Sequence, residues 1–273
     1  MLHNLLSFLP NLWASRQTSG NVVMLHSGRV GSTVVAKMLD HHPRLRWEGE
    51  IFEHLSQLNT LPPDRRPDFH LRDALPPLVK LRVRSGDAYR AGCCYGFEAK
   101  HHPDQHGHVY GLEVEPFVAR LSRLGVQYFI ELRRKNYLRQ VLSVVRLRQT
   151  GQNHVRAGDP VQHSPVVINP DSVPLGRSDL PLCQRFAEMD ALHEKTVAVL
   201  QDRHALHLTY EEDIEDDPAC AYRQICDFMG LSPMNPKVSL RRTNDAPLTS
   251  LIANYDEIRS ELLGTPYEWM LEE

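Results

Sequence analysis

No CxxC pair occurs among the five cysteines of this sequence, Cys93, Cys94, Cys183, Cys220 and Cys226. A zinc site built on thiolates needs such paired ligands, so it is disfavoured. The odd count also opposes a complete disulfide framework, and reduced thiols in a cytoplasmic protein are the expectation. No apolar run approaches the roughly 18 residues of a membrane span. The opening stretch MLHNLLSFLPNLWASR is interrupted by Asn4, Pro10 and Asn11 and has no basic start. It is expected to form a helical extension over residues 1–18 that packs on the domain, rather than an export signal. Charge of one sign is missing too: 31 basic residues against 34 acidic ones leave a net charge of −3. Duplex nucleic acid needs a basic face, so no nucleic-acid partner is expected, and only a local basic pocket is left open. No internal repeat is present.

What remains is ordinary for a globular chain. The 273 residues are 41% hydrophobic, enough to bury a substantial core, and residues 1–273 are read as one domain. Strand and helix patterns alternate, which predicts an α/β fold with a mostly parallel sheet between layers of helices. The expected strands are Asn21–His26, Cys93–Lys100, Gln127–Leu132 and Ala205–Thr209, with a short extended piece at Leu45–Trp47. The expected helices are Ser32–Asp40, Val114–Leu124, a helix after Asn136 running through Gln149, Leu180–Arg203, and one opened by Asp217-Pro218. A helical tail follows Pro247. His41 and His42 read as the end of the first helix. Residues 59–69 are Pro-rich and charged and read as an exposed loop. Residues 150–178, rich in Gly, Pro, His and Ser, form a long loop, of the kind that is functional or mobile.

The stretch HSGRVGST, residues 26–33, joins the first strand to the first helix. A tight turn there aims backbone N–H groups at one spot, where the helix dipole adds positive charge. Gly31 permits the turn, Ser32 and Thr33 offer hydroxyls, and Arg29 supplies a full charge. The nucleoside-triphosphate pattern GxxxxGK[ST] would need Gly at His26 and Lys at Ser32, and has neither. A magnesium–ATP site is therefore disfavoured, while a plain structural turn stays open. A second segment, RRKNYLRQVLSVVRLRQ over 133–149, follows the strand QYFIEL. Three cations stand at its carboxyl end, where α/β sheets bind ligands. Arg139, Ser143 and Arg146 then recur on one helical face. These are either a solvated basic surface or the cations for a second phosphate.

Taken in order, these segments resemble the PAPS-dependent sulfotransferases, especially the bacterial carbohydrate-type branch. SGRVGST resembles the family's loop for the 5′-phosphosulfate. RRKNYLRQVLS resembles its 3′-phosphate segment, and LHLTYEEDIEDDPACAYRQICDFMGL, residues 206–231, is similar to a later strand, turn and helix. The resemblance implies a three-layer, P-loop-like fold, PAPS as donor, PAP as product and no required metal. It implies that Ser27, Gly28, Arg29, Val30, Gly31, Ser32 and Thr33 hold the 5′-phosphosulfate. Arg134 and Ser143 would hold the 3′-phosphate, with Arg133 and Lys135 as competitors for Arg134, and Arg241 and Arg242 reaching it from a late loop. EGEIF, residues 48–52, resembles the segment bearing a proposed base, which makes Glu50 the first choice and Glu48 its competitor. Glu98 stands where relatives often have lysine, and Lys100 lies two residues on.

His101, His102, His106 and His108 crowd one segment, expected to be a flexible polar loop rather than a metal site. His102, or His101, is a second candidate base, since an unperturbed histidine is half neutral near pH 6.5. Arg29 would be catalytic as well as donor-binding. The acceptor is expected to be a hydroxyl-bearing small molecule or glycan, shaped by residues 54–90 and 150–178. Two rivals stay open: an ATP-dependent small-molecule kinase with an atypical phosphate loop, and an inactive PAP- or nucleotide-binding module.

Overall fold

The computed structural model describes residues 20–53, 94–102, 105, 112–151, 155–156, 164–175, 178–236, 240–241 and 246–272. The expected helical extension at 1–18, the loop at 59–69, His106, His108 and Arg242 lie outside those residues. Strand β1 (Asn21–His26) is buried along its whole length, because a central parallel strand has a covered face on each side. It pairs in parallel with β3 (Cys94–Lys100) and with β4 (Val126–Arg133). Strand β2 (Leu45–Glu50) flanks β3, and β6 (Ala205–Thr209) flanks β4, giving the order β2-β3-β1-β4-β6.

Two apolar layers cover this sheet. One face packs Val22, Met24, Trp47 and Ile130 against helix α1 (Ser32–Asp40) and a later helix (Pro218–Phe228). The other packs Val23, Leu25, Phe97 and Phe129 beneath helix α2 (Val114–Arg123). The predicted α/β fold with a parallel sheet between helices is therefore the fold observed. Trp47 lies flat on the sheet because Gly96 leaves room: a Cβ there would come within 2.3 Å of the indole.

A third core joins helix α3 (Tyr137–Thr150), helix α4 (Leu182–Leu200) and the C-terminal residues. After α4 come α5 (Tyr210–Asp213), α6 (Pro218–Phe228), α7 (Leu248–Leu251), α8 (Tyr255–Leu262) and a 3₁₀ turn at Glu268–Leu271. Asp217 caps α6 through the Ala219 amide at 3.0 Å, with Pro218 opening the helix. His42 ends the α1 turn buried, its Nε2 3.2 Å from the Ser232 carbonyl.

Two segments carry more structure than expected. Within 150–178, Val166, Ile168, Val173 and Leu175 are buried in the third core. Their apolar spacing is too sparse to announce itself in sequence. Residues 155–156 also form a short strand, β5, antiparallel to β7 (Leu240–Arg241). Strand β2 also runs on to Glu50 instead of stopping at Trp47, with a register shift between Glu48 and Glu50 that Gly49 accommodates.

The tail is latched to α3. Tyr137 and Tyr267 donate to the two oxygens of Asp190 at 2.9 and 3.0 Å. The Asn136 side-chain amide donates to the Met270 carbonyl at 3.0 Å. Asp190→Ala is expected to cost about 2 kcal/mol, because one buried and one half-buried phenol lose their shared carboxylate. Urea unfolding followed by fluorescence measures it, and the Tyr137→Phe, Tyr267→Phe double variant should lose a similar amount. Among the described residues, no helix is long and apolar enough to cross a membrane.

Candidate functional site

The loop after β1 has an unusual backbone. Gly28 (φ 81°), Arg29 (φ 57°) and Gly31 (φ 85°) all lie in the left-handed region. A tight turn of this kind at a helix start can bring backbone N–H groups to one side and make an anion-binding concavity. Glycine enters that region freely, but arginine does so at a cost of about 1–2 kcal/mol. Strain retained at a charged residue points to a task for that residue. A Cβ on Gly31 would also press within 3.0 Å of the Tyr210 ring and 3.1 Å of Ile214. The loop is closed below by Gln140 of α3, fully buried, whose amide donates to Ser27 Oγ and to the Gly28 carbonyl.

The two sequence segments meet here. Arg29 Nε donates to Ser143 Oγ at 2.9 Å, so the first loop touches the α3 face directly. Burial lowers the pKa of Arg29, the positive field of Arg134 lowers it further, and Glu50 opposes both. Arg134 is buried at the end of β4, its guanidinium stacked 4.2 Å from the Tyr210 ring centroid. Of its neighbours, Lys135 pairs with Glu212, whereas Arg133 is only partly buried. Arg146 is buried, but Arg139 reaches toward the Ala246 carbonyl at 3.5 Å, tying α3 to a later loop. Arg241 lies in β7, opposite Val155.

Sequence reasoning missed the support beneath Arg134. Glu211 accepts from the backbone amides of Lys135 and Asn136 at 2.9 and 3.0 Å, and stands 3.9 Å from Arg134 Nε. The acidic run YEED offered the only signal. Glu211→Ala is expected to cost about 1–3 kcal/mol in stability, since two amides lose a charged acceptor. The same variant should loosen the turn that aims Arg134. Chemical denaturation checks the first effect, and anion titration of the folded variant checks the second.

The acidic side of the site also separates its candidates. Glu50 pairs with Lys100 at 2.5 Å and stays partly exposed. Glu48 instead accepts from Tyr95 at 3.0 Å and Arg46 at 3.2 Å. Glu98 is buried. Burial pushes its carboxyl up, but the adjacent His26 imidazole and hydrogen bonds from Trp47 and Ser32 outweigh that and hold it low. The Ser32 hydroxyl is thus directed at Glu98, not outward as expected for an anion donor. Glu98 sits beside α1, where a buried carboxylate draws the nearest hydroxyl proton. Thr33 stays partly exposed.

The histidines correct another expectation. His101 and His102 are buried, not part of a flexible polar surface. The His101 amide continues the sheet by donating to the His26 carbonyl at 3.2 Å, which draws both residues inside. Burial drives the His101 pKa down to about 4; His26 and His102 lower it further, while Glu131 raises it. Glu131, on β4, is held by His193 at 2.6 Å and His207 at 2.5 Å.

No protein-family model matches this sequence, and no curated protein matches it. Among solved structures, a sulfotransferase from Alicyclobacillus acidocaldarius superposes with a TM-score of 0.48 at 14% identity, over 93% of this chain and 94% of that one. The sulfotransferase domain from the curacin biosynthetic pathway gives a TM-score of 0.45 at 17% identity, over 86% and 83%. Likenesses this distant carry no function across.

Proposed function

We propose that this protein moves a sulfuryl group from PAPS to a hydroxyl of a carbohydrate or other polyhydroxylated small molecule. One observation carries the reading: Arg29, partly buried, and Arg134, buried, act on each other's charge beside a left-handed loop of backbone amides. Two cations drawn this close to a loop of inward-turned amides make a strongly positive pocket, which suits a multiply charged anion. The ordered resemblance of the loop, the α3 segment and the 206–231 segment supports the same donor.

In this reading the acceptor oxygen attacks sulfur as the bond from sulfur to the 5′-phosphate oxygen breaks. Glu50 takes the acceptor proton. His102, buried, is the weaker candidate, and His101 is weaker still because burial makes it a poor proton acceptor. Arg29, Val30, Gly31 and Thr33 stabilise the charge arriving on the leaving phosphate. Arg134 and Ser143 hold the 3′-phosphate, with Arg241 and Arg242 as later contributors. No step in this chemistry calls for a metal.

Calorimetric titration with PAP, and separately with ADP and magnesium, tests the donor. Tight PAP binding with weak ADP binding is expected. Tighter ADP–magnesium binding would overturn the reading in favour of a kinase. PAP binding without turnover of PAPS in an acceptor screen would leave a binding module.

A further inference from the structure

Beneath the loop lies a buried relay that the proposed chemistry does not use. His26 closes β1 with no exposed surface. Its Nδ1 accepts from the Gly28 amide at 3.1 Å. A nitrogen that accepts this bond carries no proton, so a neutral ring must carry its proton on Nε2. Nε2 stands 3.3 Å from Glu98 Oε2, a short contact but not a well-aligned hydrogen bond. Glu98 also accepts from Trp47 Nε1 at 3.3 Å and from the Ser32 hydroxyl. The chain of contacts therefore runs from Gly28, at the start of the loop, through His26 and Glu98 to Ser32, at its end.

We propose that His26 is a positioning residue. Locked as its Nε2–H tautomer, it and Glu98 hold both ends of the anion loop in the binding shape. This rests on the loop being the donor site, but the tautomer itself does not. The Gly28 amide is thereby committed to His26 and the Ser32 hydroxyl to Glu98. The donors left for an anion are the later loop amides, the Arg29 guanidinium and the Thr33 hydroxyl.

The same residues raise a competing occupant. One ligand atom each from His26, Glu50 and Glu98 falls within 4.8 Å of the others. A cation there would need a bare Nε2, while the Gly28 amide requires a bare Nδ1. Both together would demand an imidazolate, and Lys100 already balances Glu50. The relay fits the donor set better than a metal does.

Nitrogen-15 spectra of labelled, ligand-free protein test the tautomer directly. A pyridine-like Nδ1 and a protonated Nε2 are expected for His26 near neutral pH, unchanged by added zinc. A protonated Nδ1, or a zinc-dependent loss of the Nε2 proton, would overturn the proposal. Two variants then divide the relay. His26→Asn keeps an acceptor where Nδ1 stands, and His26→Gln keeps a donor toward Glu98 but removes the acceptor for Gly28. PAP affinity should stay within about threefold in His26→Asn and fall about tenfold in His26→Gln, the loss of one buried hydrogen bond. Equal losses in two folded variants would sink the role given to Gly28. If the wild type binds no PAP, the donor reading fails while the spectra still decide the tautomer. If a variant does not fold, the wild-type spectra still decide the lock.

Discussion

Arg29→Ala is expected to weaken PAP binding by about tenfold to a hundredfold. Removing a charge-assisted hydrogen bond to a phosphate costs about 1.5–3 kcal/mol. Turnover of any acceptor found should fall about a hundredfold or more, because in the proposed chemistry the same charge would face the oxygen on which negative charge develops. The empty protein should suffer far less. Arg29 gives up its 2.9 Å bond to Ser143, but it also relieves its burial and the field of Arg134. Thermal unfolding with and without PAP separates the two effects: the empty midpoint moves little, and the PAP-induced rise shrinks. A variant that keeps both its PAP affinity and its turnover removes Arg29 from the site.

The second large effect is on stability against pH. His101 has its folded pKa held near 4, chiefly by burial, whereas an unfolded histidine titrates near 6.5. Between those values the unfolded chain binds a proton that the folded chain refuses. Stability is therefore full above about pH 6.5 and falls as the pH drops toward 4. The difference in pKa corresponds to about 3 kcal/mol. Urea unfolding from pH 7.5 to pH 4 should show this decline, and His101→Gln should remove most of it. A decline just as steep in His101→Gln would place the linkage elsewhere. Glu131 adds a slope of the same sign at lower pH. Burial raises its carboxyl, but His193 and His207 hold it below the ordinary value, so its contribution fades as the carboxylate is protonated.

The parts of this site legible in the sequence are those with local signals. The unbroken apolar run Val22–Leu25 announced a strand, and the glycine turn after it announced the loop. The cations after QYFIEL could be placed at the ligand end of the sheet because parallel strands bind there. Asp217-Pro218 marked a helix start by capping chemistry alone. What stayed hidden depends on contacts between distant residues. Glu211 reaches back 75 and 76 positions to the amides it holds, and no local pattern encodes that. His101 and Glu98 look polar and exposed in sequence. They are buried because β3 lies between β1 and β2, which pairing decides and composition does not. The left-handed Arg29 breaks the expectation for a non-glycine residue, which is why its strain had to be seen rather than read.

The latch between the tail and α3 has a consequence for the order in which the protein becomes competent. Asn136 caps α3, yet its side-chain amide is anchored by a carbonyl 134 residues further along the chain. On the ribosome, every strand of the large sheet emerges before that anchor does. A nascent chain can thus complete the first loop and the sheet while the helix bearing Ser143 is still unsecured. The proposed second-phosphate grip would then be the last piece of the site to mature, and unfinished chains would not sequester the donor.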